Sequence, residues 1–177
     1  MKQRKAKPGD ERLIHDRSAD WAERSSALSR LTADGRHDLE PVARQWLHED
    51  EPGLVFEGLN MLLTYWRDSP HVHEYLEFAL DWLVASDSDK RSSAAICLGT
   101  FLKRNVRYRE EIVSRLLNTL EQDDDEIVQE TCYEALLDYI APEAGIAFRR
   151  RGSHDFDRAR DVRWELLAPL RERYGKH

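Results

Sequence analysis

Apolar residues recur along most of the chain at the spacing of a helix rather than that of a strand. After Asp125, for example, Val128, Cys132 and Leu136 lie four residues apart and share one helical face. Residues 72–83 are apolar almost all round, which is typical of a helix buried on several sides. No segment alternates apolar and polar residues over a useful length, so the sequence predicts an all-α protein of about nine or ten helices.

The helical pattern recurs at a nearly constant interval. Similar segments, each opening on an acidic residue, begin at Asp16, Asp50, Asp87, Asp125 and Asp155, with spacings of 34, 37, 38 and 30 residues. Each segment predicts a pair of helices whose first member starts at an acidic N-cap. The predicted units lie near 16–49, 50–86, 87–122, 123–152 and 153–175. They form one predicted domain over residues 13–177, and residues 1–12 are predicted to be a basic, flexible tail.

Two prolines bear on predicted helix boundaries. Ser69 and Pro70 are predicted to be the N-cap and the first residue of a helix, because proline is well tolerated at that position. Pro169 lies inside the last helical segment. Its missing N–H and the clash of its ring are predicted to bend or break that helix.

Two of the repeated segments share a more specific pattern. They read Asp87…Ser92-Ser93-Ala94-Ala95…Leu98-Gly99 and Asp125…Val128…Ala135-Leu136, with an acidic turn, small residues, and a Leu-Gly or Ala-Leu pair near the middle of the first helix. On these residues the chain resembles the bacterial HEAT-repeat proteins over about residues 16–175. The resemblance implies an α-solenoid of about five HEAT-like helix pairs, wound into a right-handed superhelix whose second helices line a concave inner face.

The same resemblance bears on function. Most proteins of that family are protein-binding scaffolds, and some are enzymes, among them the alkylpurine DNA glycosylases, which present a basic concave surface to DNA. The second helices of this chain contribute acidic side chains instead, at Glu74, Glu77, Asp81, Glu110 and Glu111. These acids would repel a phosphate backbone. Of the functions found in the family, they therefore favour a scaffold over a DNA enzyme.

Charge is distributed unevenly along the chain. The 177 residues include 27 basic and 34 acidic ones, for a net charge of -7. Residues 8–148 hold 14 basic and 29 acidic residues, whereas residues 1–7 hold four basic and no acidic residues and residues 149–177 hold nine basic and five acidic ones. The acidic middle therefore favours a basic partner and disfavours nucleic acid, although the same charge would also serve solubility alone.

No residue pattern predicts catalysis, a cofactor or a metal site. His71 and His73 are two residues apart and face away from each other on a helix, and the acidic runs lack the central glycine of a calcium-binding loop. Cys97 and Cys132 fall beside the apolar stripes and are predicted to be buried and unreactive. The chain is expected to be non-enzymatic and, without a long apolar run or a signal segment, to be cytoplasmic and to avoid membranes.

The turns between the predicted repeats are rich in carboxylates. Acids at helix N-termini meet the positive end of the helix dipole, but Glu49 and Glu121 lie at helix C-termini, so stability alone does not account for them. We therefore predict that a basic protein binds to an acidic edge formed by these turns, together with acids of the inner face. Trp66, which is expected to be partly exposed, is predicted to belong to the same surface. Its residues are Glu49, Asp50, Glu51, Trp66, Glu74, Glu77, Asp81, Asp87, Asp89, Glu121, Asp123 and Asp124.

A secondary basic patch is predicted at Arg149, Arg150 and Arg151. It could bind an acidic protein, a phosphate or the acidic middle of a second copy, or it could be a solvated end whose arginines pair locally. Taken together, the residues favour a protein–protein interaction scaffold. The alternatives are an immunity- or antitoxin-like inhibitor of a basic toxin and, least favoured by the charge, a nucleic-acid enzyme related to the HEAT-like DNA glycosylases.

Overall fold

The computed structural model describes residues 5–151 and 156–175, and over these residues it is all-α, with no β-strand. This confirms the predicted all-α class. In chain order the elements are α1 (Asp10–Leu13), α2 (Trp21–Ala33), a 3₁₀ helix (His37–Leu39), α3 (Glu40–Trp46), α4 (Pro52–Tyr65), α5 (Val72–Leu83), α6 (Ser88–Leu102), α7 (Arg109–Gln122), α8 (Glu126–Ile140), α9 (Pro142–Arg151), α10 (Arg158–Asp161) and α11 (Trp164–Tyr174). Across the described ranges, no helix combines the length and the apolar character needed to cross a membrane. The chain divides into two compact units, residues 1–75 and residues 76–177.

In the first unit, α2 packs on α1 and α4, and α3 packs on α4. Leu28 and Trp46 are among the side chains that this packing removes from solvent. Gly58 lets α3 and α4 approach closely, because a Cβ at that position would lie 3.0 Å from both the carbonyl oxygen of Ala43 and the Cβ of Trp46. A larger residue at Gly58 would therefore push the two helices apart.

The beginning of the described chain is held to α2 by a buried ion pair. The carboxylate of Asp10, a residue that is 3% exposed, accepts hydrogen bonds from Arg30 at 2.8 Å from Nε and 2.6 Å from Nη2. The backbone N–H of Lys7 donates to the same carboxylate at 2.8 Å. These contacts tie part of the segment predicted as a tail to the first unit, while residues 1–4 lie outside the described residues.

The turn between α4 and α5 is held to α3 by Glu40. The Ser69 hydroxyl donates to Oε1 of Glu40 at 2.6 Å, and the hydroxyl of Tyr75 donates to the same oxygen. Ser69 also accepts a hydrogen bond from the backbone N–H of His71 at 3.1 Å. Because these contacts shape the turn, α5 starts two residues after Pro70, and the predicted helix start at Pro70 is wrong.

In the second unit, α8 packs against α6, α7, α9, α10 and α11. The helices α6 and α8 cross closely at Gly99, where a Cβ would lie 2.6 Å from the Cβ of Ala135 and 3.2 Å from its Cα. Leu98 and Leu136, next to this crossing, are both 0% exposed. The Leu-Gly pair of the repeated pattern therefore has a direct packing role.

The C-terminal helices return to α7. Arg171 of α11 lies 2.9 Å from the carboxylate of Glu121 at the end of α7, and Arg158 of α10 donates to the carbonyl oxygens of Leu120 and Glu121. Helix α11 also packs on α8. The last predicted repeat, 153–175, therefore contacts the two repeats before it, 87–122 and 123–152. A strict stack of repeats makes only nearest-neighbour contacts.

Pro169 lies in the middle of α11 without ending it. The helix continues on both sides of the proline, so of the predicted bend or break the break is wrong, and the bend stays a prediction. The proline lacks the N–H that would bond to the carbonyl of Glu165, which is a loss of one hydrogen bond. Leu167 and Leu170 on either side are buried, and this packing holds the helix in place.

Candidate docking surfaces

Carboxylates begin five of the helices. Each side chain accepts a hydrogen bond from the backbone N–H two residues later, and so satisfies a donor that the helix leaves unpaired. The five are Asp20 before α2, Glu51 before α4, Asp87 before α6, Asp125 before α8 and Asp157 before α10, at 2.8, 3.2, 2.9, 2.9 and 2.8 Å. Part of the predicted acidic edge therefore serves to start helices.

Two of the predicted helix starts are displaced. The helix predicted to start at Asp16 starts after Asp20, because Asp16 instead accepts two hydrogen bonds within a turn of its own. The helix predicted to start at Asp50 is capped by Glu51. The start predicted at Asp155 lies outside the described residues.

The two carboxylates that the helix dipole does not explain are both bound by arginines. Glu49 lies 3.3 Å from Nη2 of Arg17 and 3.9 Å from Nη2 of Arg24. Glu121 lies 2.9 Å from Nε of Arg171. Packing therefore accounts for these acids at helix C-termini, and no docking role is needed to explain them.

Asp123 is withdrawn from the surface by Arg91. The two side chains form a bidentate pair, with distances of 2.7 Å from Nε and 2.9 Å from Nη2, and the side chain of Asp123 is 8% exposed. Burial by itself would raise the pKa of Asp123, but the hydrogen bonds from Arg91 and the backbone of Asp125 outweigh it and hold the pKa below its usual range. The prediction that Asp123 offers its charge to a partner is wrong, because that charge already has a buried partner.

Trp66 is buried and is not partly exposed as predicted. Its exposure is 5%, and its Nε1 donates a hydrogen bond to the carbonyl oxygen of His37 at 2.8 Å. Trp21 is the more exposed tryptophan, at 38%, and it covers Gly53, where a Cβ would lie 2.8 Å from the indole ring. The apolar pattern gave no signal that distinguished these two tryptophans.

The other predicted docking residues lie at or near the surface. Glu74 binds Nη2 of Arg44 at 2.8 Å and Nδ1 of His71 at 2.9 Å. Glu77 and Asp81 are exposed on α5, and Asp50 is exposed before α4. The remaining acids of the predicted surface lie at the starts of α6 and α8.

An arginine joins the start of α6 to the turn before α8. Arg91, in the first turn of α6, binds the turn before α8 and lies 3.8 Å from the carboxylate of Asp124, whose side chain is fully exposed. Asp89 and Glu126 are exposed in the first turns of α6 and α8. Ile127 beside them is 65% exposed. We call Asp89, Asp124, Glu126 and Ile127 the α6–α8 acidic edge.

A basic surface lies at the other end of α6 and α8. Nζ of Lys103 and Nη1 of Arg149 both lie 2.6 Å from Oδ2 of Asp138, so two segments far apart in sequence meet on one carboxylate. The guanidinium of Arg109 lies over the ring of Tyr139, 5.3 Å from its centre. A groove of about 430 Å³ is lined by Lys103, Asp138, Tyr139, Pro142, Ile146 and Arg149. We call segments 103–109 and 149–151, which hold these cations, the basic surface.

The carboxylates of α8 respond differently to this environment. Burial raises the pKa of Glu130 and of Glu134, and the charges of Glu134 and Asp161 raise that of Glu130 further. Burial also acts to raise the pKa of Asp138, but the hydrogen bonds from Lys103 and Arg149 prevail and hold it below its usual range. Asp138 is therefore an ionised anchor between the two basic segments.

The described residues contain no group of three or more His, Cys, Asp or Glu side chains placed to bind a metal ion. Cys97 and Cys132 are 0% exposed, which confirms the predicted burial. Burial raises the pKa of the Cys132 thiol, so the reactive thiolate is strongly disfavoured.

Comparison of the chain with protein-family models, curated proteins and solved structures finds no match. The resemblance to HEAT-repeat proteins therefore stays a prediction from the sequence. Any function has to be inferred from the chemistry of the two charged surfaces.

Proposed function

We propose that this chain is a non-enzymatic scaffold of the cytoplasm, built as a right-handed α-solenoid of HEAT-like helix pairs, that binds a basic protein through its acidic edge. The regular placement of helix starts supports the repeat. The acidic N-caps Asp20, Glu51, Asp87, Asp125 and Asp157 follow one another at 31, 36, 38 and 32 residues. Such regularity is typical of an array in which one helix pair is used repeatedly.

A recurring ion pair gives further support. Arg24 lies four residues after the cap of α2 and contacts Glu49, two residues before the cap of α4. Arg91 lies four residues after the cap of α6 and contacts Asp123, two residues before the cap of α8. The same position in two repeats thus joins one helix pair to the turn that begins the next.

The exposed Ile127 is the observation on which the docking part of the proposal depends. A large apolar side chain that is 65% exposed at a helix start contributes little to the core of the chain. Glu126 directly precedes it in sequence and Asp124 lies three residues before it, so Ile127 offers a partner an apolar contact within a negative field. Such a field speeds encounter with a basic protein and disfavours acidic ones.

The test is affinity capture from the native cell followed by mass spectrometry, with the wild-type chain compared with Asp89→Lys/Asp124→Lys. We expect a basic protein that the wild type retains and the variant loses. The control is Asp68→Lys/Glu172→Lys, which changes the charge equally at exposed positions outside the edge. A partner lost equally from both variants, or retained by both, would remove the acidic edge from the proposal.

A further inference from the structure

The basic surface has no part in the function proposed above, and its composition differs from the rest of the chain. Segments 103–109 and 149–151 contain seven basic and no acidic residues, although the chain as a whole is acidic. From the way these segments meet, we infer that the basic surface binds an acidic stretch of another polypeptide. This inference is independent of the proposed docking at the acidic edge.

The geometry at Asp138 shows which chemical group the surface accepts. Lys103 and Arg149 place two cationic donors on a single carboxylate oxygen at 2.6 Å. Their side chains are still 43% and 42% exposed, respectively. An ammonium has three N–H donors and a guanidinium five, so both groups keep donors for a second carboxylate that arrives from solvent.

Apolar surface accompanies the charge. Ile146, which lines the groove, is 38% exposed, and Val106 in the loop between α6 and α7 is 71% exposed. The helix dipoles favour cations at the C-terminal ends of both α9 and α6, where Arg149 and the C-cap Lys103 lie, but they do not explain why these two ends meet on one carboxylate. A polypeptide that alternates carboxylates with apolar side chains would fit both the cations and these exposed side chains.

Carboxylates within and beside the surface favour a polypeptide over a nucleic acid. Asp138 and the partly buried Glu134 lie among the cations, and Glu110 and Glu111 follow the loop directly in sequence. A phosphate backbone has closely spaced charges and would meet these acids as well as the arginines. Separate carboxylates on flexible side chains can contact the cations one by one.

The experiment is a fluorescence anisotropy titration of the full chain into a labelled peptide of Glu-Glu-Leu repeats. The comparison probes are a Lys-Lys-Leu peptide and single-stranded oligothymidylate. We expect the acidic peptide to bind and its affinity to fall at least about tenfold between about 50 and 500 mM salt, because screening shortens the range of the attraction. The Lys-Lys-Leu peptide should not compete for this surface.

The variant Arg104→Glu/Arg150→Glu should lower the affinity for the acidic peptide at least about tenfold, since it reverses two exposed charges of the basic surface. Arg104→Gln/Arg150→Gln serves if the first variant folds poorly. The control Arg12→Glu/Lys90→Glu makes the same change at exposed positions outside the surface and should stay within about twofold of the wild type. Binding of oligothymidylate in preference to the peptide, equal loss in the control, or no peptide binding by the wild type would each overturn the inference.

Discussion

Arg91 and Asp123 form a buried bidentate pair that joins the first turn of α6 to the turn that begins α8. Arg91 also donates to the carbonyl oxygens of Ala85 and Ser86 at 2.9 and 3.0 Å. One guanidinium thus holds three loop positions, and its side chain is only 13% exposed. The pair is therefore expected to stabilise the second unit, rather than to serve as a surface charge.

Arg91→Ala should lower the free energy of unfolding by about 3–5 kcal/mol, because it leaves the carboxylate of Asp123 buried without its partner. The measurement is urea denaturation followed by circular dichroism. Arg91→Lys should recover only part of the loss, since an ammonium cannot form the parallel pair of hydrogen bonds.

Two comparisons test the reason for that loss. Arg91→Met/Asp123→Leu, which removes both charges, should be more stable than Arg91→Ala, because no unpaired charge stays buried. Arg115→Ala, an exposed arginine on α7, should change the free energy of unfolding by less than about 0.5 kcal/mol. If Arg91→Ala behaved like Arg115→Ala, the pair would have no structural importance.

Gly99→Ala should destabilise the chain by about 1–3 kcal/mol, although alanine is the better helix former by about 1 kcal/mol. The added methyl group would lie 2.6 Å from the Cβ of Ala135, so α6 and α8 would have to separate. Denaturation of Gly99→Ala, Ala135→Gly and the double variant gives the coupling between the two positions. The double variant should lose less free energy of unfolding than the sum of the losses of the two single variants. If the losses were simply additive, the proposed close crossing of α6 and α8 would be contradicted.

The sequence predicted most of the helices because their apolar positions recur at helical spacing. Asp87 and Asp125 were identified as caps because an N-cap depends on local chemistry, which a single sequence contains. Where a tertiary contact determines where a helix starts or whether it continues, reasoning from local sequence was wrong. Ser69 is held by Glu40 and shifts a helix start, and burial of neighbouring leucines keeps α11 intact around Pro169.

The charged surfaces were harder to predict than the helices. Charge along a sequence does not tell which carboxylates face solvent, so Asp123 and Asp124 looked alike, although one is buried in an ion pair and the other is fully exposed. The meeting of Lys103 and Arg149 on Asp138 depends on how α6, α8 and α9 pack, and no spacing in the sequence encodes it. Arg24 and Arg91 each lie four residues after a cap, but this equivalence is visible only once the structure places the first of these caps at Asp20 instead of Asp16.

Trp66→Phe should lower the free energy of unfolding by about 1–2 kcal/mol, because it removes the indole hydrogen bond to the carbonyl of His37 and reduces the buried volume. Trp21→Phe, at a more exposed position, should cost less than about 0.5 kcal/mol. Both variants should capture the same proteins from the cell as the wild type. If a stably folded Trp66→Phe variant lost a partner that the wild type binds, Trp66 would have a docking role despite its burial.

Asp10→Asn should reveal a pH-dependent contribution of the pair between Asp10 and Arg30. The hydrogen bond from Arg30 lowers the pKa of Asp10 below its ordinary 3.8, so folding favours the ionised carboxylate. This stabilisation is present at neutral pH and is lost as the pH falls below 3.8 through the folded-state pKa. The variant should be about 1–3 kcal/mol less stable than the wild type near neutrality, and the difference should shrink in acid. Urea denaturation across that pH range gives both quantities, and Asp68→Asn, at a side chain that is 91% exposed, provides the control. A difference between Asp10→Asn and the wild type that stayed constant down to the lowest pH would show that ionisation of Asp10 does not stabilise the first unit.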